Sequence, residues 1–136
     1  MDNNTEVAAT TKRILIVDDE SHIIEVVRTC LEMLGGWDVI SATSGREGLV
    51  KAQVECPDAI LLDVMMPEMD GFVFLRQLHS NPAIQNIPVI LLTAKARMID
   101  PEEFPTLGIQ GAIAKPFHPI ALTNEVAKAF GWSLAE

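Results

Sequence analysis

A chain of 136 residues, 49% of them apolar, fits one domain with a sizeable core. The formal net charge of −9 argues against direct nucleic-acid binding, because phosphate backbones are held by clustered Lys and Arg and no basic stripe occurs. No apolar stretch approaches the roughly 18 residues of a membrane span, residues 1–12 lack the basic-then-apolar pattern of a signal peptide, and Cys30 and Cys56 show no metal or disulfide spacing; a cytoplasmic protein with reduced, semi-buried thiols and no membrane contact is expected.

Residues 1–12 are polar, small and rich in Thr and Asn, and read as a frayed leader. From Arg13 onward, short β-branched or leucine-rich runs near 13–17, 37–41, 58–62, 88–92 and 111–114 alternate with stretches of helical periodicity, the pattern of repeated βαβ units. The strands are wholly apolar, as in a parallel sheet covered by helices on both faces. The first helix starts near Ser21, places Ile23, Val27, Cys30, Leu31 and Leu34 on one face and stops at Gly35-Gly36. The second opens at Ser44 in a capping box with Glu47 and turns Leu49, Ala52 and Cys56 inward. The third runs from Gly71 through Phe72, Leu75 and Leu78 to Asn81-Pro82. Between 97 and 108, Asp100-Pro101-Glu102-Glu103 starts a helix that Pro105, lacking an N–H, keeps short. The fifth spans Pro119, Leu122, Val126 and Phe130 up to Gly131, leaving 132–136 as a tail.

Four of the five apolar runs stop at polar chemistry: Asp18-Asp19-Glu20, Asp63, Thr93 and Lys115. Five such units joined by right-handed crossovers can be doubly wound, and ligands in these folds bind beyond the strand carboxyl ends, where the winding reverses. In the strand order 2-1-3-4-5 the reversal falls between the first and third strands, which end in Asp18-Asp19 and Asp63. Three carboxylates about 5 Å apart repel by roughly 3 kcal/mol per pair at an effective dielectric near 20, so the site should take up protons or a divalent cation. Magnesium, a hard ion wanting oxygen ligands, suits this set, while Lys115 supplies a point charge and Thr93 a hydroxyl for phosphoryl oxygens. Met65, Met66 and Met69 read as gap-fillers, and His22, His79 and His118 as surface or capping residues.

The set Asp18-Asp19, Asp63, Thr93-Ala94 and Lys115-Pro116, with Asp63-Val64-Met65-Met66-Pro67-Glu68-Met69-Asp70-Gly71 between, resembles the response-regulator receiver domain, of the stand-alone, chemotaxis-regulator type. The resemblance covers residues 13–131 and implies a flavodoxin-like α/β fold, a doubly wound five-stranded parallel sheet of order 2-1-3-4-5 with five helices on two faces. It further implies that Asp63 is a phosphoacceptor attacking a phosphohistidine on a sensor histidine kinase or phosphotransfer protein. Mg²⁺, with Mn²⁺ as a substitute, would be held by Asp19, Asp63 and the Met65 backbone carbonyl, and by Asp18 through water. Val64, Ala94, Thr93 and Lys115 would surround the phosphoryl group, and the Lys115–Pro116 peptide would be cis.

The chain departs from the family pattern at Ala112, where relatives often carry an aromatic switch, and at Pro105, which alters the fourth helix and puts the usual output surface in question. The reading is a signalling protein rather than an enzyme, limited to self-catalysed phosphoryl transfer and autodephosphorylation, and a monomer or weak dimer with an unidentified downstream protein target. A phosphorylation-independent interaction domain is the alternative. An aspartyl-phosphate hydrolase is a remoter one, since Asp18-Asp19-Glu20 does not match the Asp-x-Asp-x-Thr of such enzymes and the chain has no room for a cap.

Overall fold

The computed structural model describes residues 11–134, so most of the expected leader and the last two tail residues lie outside the described residues. The strands are β1 (Arg13–Val17), β2 (Asp38–Ala42), β3 (Ala59–Asp63), β4 (Val89–Thr93) and β5 (Gly111–Ala114). The helices are α1 (Ser21–Cys30), α2 (Gly45–Glu55), α3 (Gly71–His79), α4 (Phe104–Leu107) and α5 (Pro119–Phe130). All four strand pairs are parallel and the order is β2-β1-β3-β4-β5. Among the described residues no helix is long and apolar enough to cross a membrane.

Alternate residues of each strand feed two cores, as the two-residue period of a strand requires. Leu15, Val17, Ile60, Leu62, Val89 and Leu91 pack with Ala52 of α2 and with Phe74, Leu75 and Leu78 of α3. Ile14, Ile16, Leu61, Ile90 and Leu92 pack with Ile24 and Val27 of α1 and with Leu122 and Val126 of α5. Helices thus cover both faces, and the central strands β1, β3 and β4 are buried throughout apart from Arg13. Three strands sit one residue later than the sequence predicts, at 38–42, 59–63 and 89–93. The shift makes Asp63 and Thr93 the last paired residues of β3 and β4, in register with Leu92 and Ala114.

The structure corrects the predicted helix faces at three places and the predicted cap at one. Val27 and Leu31 are buried as expected, Ile23 and Cys30 are half-buried and Ile24 is buried beside them, whereas Leu34, in the π-helical turn Leu31–Gly35 that continues α1, faces outward. Gly35 closes that turn beneath Trp37, where a Cβ would stand 2.6 Å from the indole ring. In α2, Ser44 accepts a hydrogen bond from the Glu47 amide while Glu47 Oε1 accepts one from the Thr43 amide, so the expected box forms with its return bond one residue earlier. Cys56 follows α2 with φ 49° and is exposed rather than inward, because the chain has left the helix there. In α3 the buried aromatic is Phe74 and not Phe72.

The region 97–108 forms two single 3₁₀ turns, Ala96–Met98 and Pro101–Glu103, leading into α4, in which Pro105 is accommodated within the first turn. Trp132, expected in the tail, packs edge-on against Trp37 at 5.2 Å and beside Phe130 at 5.1 Å, so the folded unit includes it. His22 and His118 are exposed, whereas His79 is half-buried against Gly108.

Candidate phosphoryl and metal site

At the carboxyl end of the sheet, β1 delivers Asp18 and Asp19, β3 delivers Asp63, β4 delivers Thr93 and β5 delivers Lys115. Asp18 is fully buried and held at both oxygens: Oδ1 accepts from the Glu20 amide at 2.9 Å and Oδ2 from Lys115 Nζ at 2.7 Å. Lys115 Nζ also lies 3.6 Å from Asp63 Oδ2. Asp63 is buried, and its Oδ1 accepts from the Met65 amide at 3.0 Å. Thr93 is buried at the end of β4 with Oγ1 accepting from the Lys95 amide at 3.2 Å, and its carbonyl accepts from the Lys115 amide at 3.0 Å. The Lys115–Pro116 peptide is cis.

The neighbouring positions fall where their local conformation sends them. Val64 is buried next to Asp63, whereas Met65 and Ala94 are exposed at the rim. Met66 is buried in the core and Met69 packs over Gly45, consistent with apolar filling. The Asp70 carboxylate caps α3 by accepting from the Val73 amide at 2.9 Å.

Electrostatics follow from burial. Desolvation pushes the Asp63 carboxyl up to about 6; the Met65 amide opposes this, Asp18 reinforces it, Lys115 opposes it and Asp19 reinforces it. Burial lowers the Lys115 ammonium, but the hydrogen bond and charge of Asp18, then the charge of Asp63 and the bond to Glu20, outweigh it and raise the value. Lys115 therefore stays charged.

Asp18, Asp19 and Asp63 each offer a carboxylate oxygen within 4.8 Å of the others. Trans oxygens of an octahedral Mg²⁺ stand about 4.2 Å apart, so a small closure would let one ion meet this hard, all-oxygen set. Both oxygens of Asp18 already accept hydrogen bonds, and Asp63 accepts one at Oδ1.

One contributor went unassigned in the sequence. Glu20 Oε1 stands 3.3 Å from Lys115 Nζ. The only signal available was its place as the third acid of Asp18-Asp19-Glu20, two residues beyond Asp18 in an extended segment.

A doubly wound α/β sheet with an acidic cluster, a lysine and a buried threonine at its switch point defines a class of phosphoryl-handling proteins. Residues 14–127 match the family model of the response regulator receiver domain, and the chain belongs to that family. The regulatory protein PhoP for alkaline phosphatase synthesis of Bacillus subtilis is 42% identical over 108 residues, covering 79% of this chain and 44% of that protein. The probable transcriptional regulator ycf27 of Cyanophora paradoxa is 39% identical over 115 residues, covering 85% and 46% respectively. The chain thus spans a little under half the length of the curated relatives it matches. Among solved structures, the chemotaxis response regulator CheY4 of Vibrio cholerae superposes with a TM-score of 0.79 at 32% identity, over 88% of this chain and 99% of that one. Receiver domains are signalling domains that bind Mg²⁺ through clustered acidic residues.

Proposed function

We propose that Asp63 accepts a phosphoryl group from a phosphohistidine on a sensor histidine kinase or phosphotransfer protein, and that the loaded domain signals through contact with a downstream protein. The observation that carries this is the position of Lys115 Nζ, 2.7 Å from buried Asp18 and 3.6 Å from Asp63. A fixed ammonium beside a buried carboxylate is what an incoming phosphoryl group needs, because such transfer depends on positioning and on stabilising charge.

In the step itself an Asp63 carboxylate oxygen forms a bond to phosphorus while the phosphorus–nitrogen bond breaks. The leaving imidazole keeps the bonding pair and takes up a proton. Lys115 and the Thr93 hydroxyl meet the phosphoryl oxygens, with Val64 and Ala94 bordering the space they occupy. Asp19, Asp63 and the Met65 carbonyl would hold Mg²⁺ directly and Asp18 through a water, and the bound ion would neutralise the carboxylates and the transferring group. We place this activity in the cytoplasm, in a monomer or weak dimer.

Incubation with acetyl phosphate and Mg²⁺, followed by intact-mass measurement, tests the reading. One phosphoryl group should be gained by the native chain and none by Asp63→Asn. Labelling of Asp63→Asn would remove Asp63 as the acceptor, and no labelling of the native chain by this donor or by a panel of phosphorylated kinases would favour a phosphorylation-independent interaction domain.

A further inference from the structure

Lys115 Nζ carries three protons and faces three carboxylates, Asp18 at 2.7 Å, Glu20 at 3.3 Å and Asp63 at 3.6 Å. Two of its donors are hydrogen-bonded, to Asp18 and Glu20, and Asp63 lies just beyond hydrogen-bond distance. Meeting more than one new oxygen therefore requires an exchange, and the partners are unequal in what they can release. Asp18 is wholly buried, so losing Lys115 would strand a charge away from water. Asp63 is the acceptor and shares the fate of the transferred group. Glu20 is 48% exposed at its side chain and makes no helix-capping bond, so water can replace Lys115 there with little loss.

Local geometry explains why Glu20 reaches the lysine and Asp19 does not. Glu20 precedes α1 in an extended conformation, φ −100° and ψ 108°, which returns its side chain to the same side as Asp18 two residues earlier. We propose that Glu20 is a positioning residue that holds Lys115 in its resting pose and gives it up to the phosphoryl oxygens, thereby setting how readily Asp63 is loaded. This rests on Asp63 being the phosphoacceptor. Glu20 favours the unloaded state, so its removal promotes loading.

The test compares native protein, Glu20→Gln and Glu20→Asp at saturating Mg²⁺, titrating beryllofluoride as the phosphoryl analogue and following the Lys115 side-chain ammonium by NMR. Glu20→Gln should bind the analogue about two- to five-fold more tightly, the scale of one part-exposed ion pair. Its Lys115 signal should differ from native at rest and coincide with native once loaded. Glu20→Asp keeps the charge on a shorter arm and should behave like Glu20→Gln; native behaviour in that variant would assign the effect to charge alone and overturn the proposal. Unchanged or weaker loading by Glu20→Gln, or an identical resting Lys115 signal, would overturn it as well. Failure of the native chain to take up beryllofluoride would instead sink the phosphoacceptor reading, while the resting Lys115 signals would still report the Glu20 contact.

Discussion

Gly71 and Val64 approach so closely that the Gly71 amide donates to the Val64 carbonyl at 2.9 Å, and a Cβ on Gly71 would stand 2.7 Å from Val64 Cα. The first residue of α3 is thereby clamped to the residue after Asp63. Because the obstacle is backbone, Gly71→Ala cannot be relieved by a rotamer change and must displace the 63–71 loop. Overpacking of this kind costs about 1–3 kcal/mol, against a gain in helix propensity of about 1 kcal/mol. A net loss of stability in urea denaturation and slower phosphorylation from acetyl phosphate are expected. A more stable variant with native labelling would show that the clamp does not set the acceptor loop.

Burial of Asp63 also makes a prediction for pH. The native carboxyl titrates near 6 against an ordinary value of 3.8, so between these values the folded chain holds a proton that the unfolded chain has released. Stability without metal should therefore fall as pH rises from about 4 to 6, by about 3 kcal/mol in total. Asp63→Asn never ionises and should escape the loss. In EDTA it should match the native chain below pH 4 and exceed it above pH 6, and equal denaturation midpoints at pH 8 would contradict the raised value.

How much was legible in the sequence follows from how each feature is encoded. Strands buried on both faces must be apolar at every position, which is why the runs at Ile14, Ile60 and Val89 stand out and why their polar ends marked the site. Helix faces were harder to read. Four consecutive apolar residues, Phe72 to Leu75, leave the phase of α3 open, and the packing of Phe74 beside Gly48 and Val17 decides it. The outward turn of Leu34 depends on a π-helical turn and on Trp37 lying over Gly35, and neither leaves a trace in periodicity. The contact from Glu20 to Lys115 joins residues 95 apart and exists only once β1 and β5 share a sheet.

The two tryptophans stand at the other end of the sheet from the acidic cluster, Trp37 just before β2 and Trp132 just after α5, stacked edge to face at 5.2 Å. Lys12 Nζ lies 5.6 Å from the Trp132 ring centroid. Magnesium titration should leave intrinsic fluorescence nearly unchanged, whereas Trp132→Phe should alter the emission spectrum of the metal-free protein. Saturable quenching by Mg²⁺ in the native chain would mean that the metal site communicates with this pair through the sheet.

Ala112 poses the question of how loading at Asp63 would be felt elsewhere. It has no side-chain rotamer to exchange, so an aromatic swing at this position is excluded. Ala112 packs into the same core as Ile99, Phe104 and Leu107, which belong to the turns and short α4 that follow Thr93. Those turns are held by few helical hydrogen bonds, among them Met98 to Lys95 and Glu103 to Asp100, so they are easily remodelled. If Thr93 moves toward a phosphoryl group, the segment after it should follow while β5, paired to β4 from Gly111 to Ala114, stays in place. Beryllofluoride should therefore change amide hydrogen exchange mainly within residues 93–108 and far less within 111–114. Changes concentrated in 111–114, with 93–108 unaffected, would show that the signal leaves the site through β5 instead.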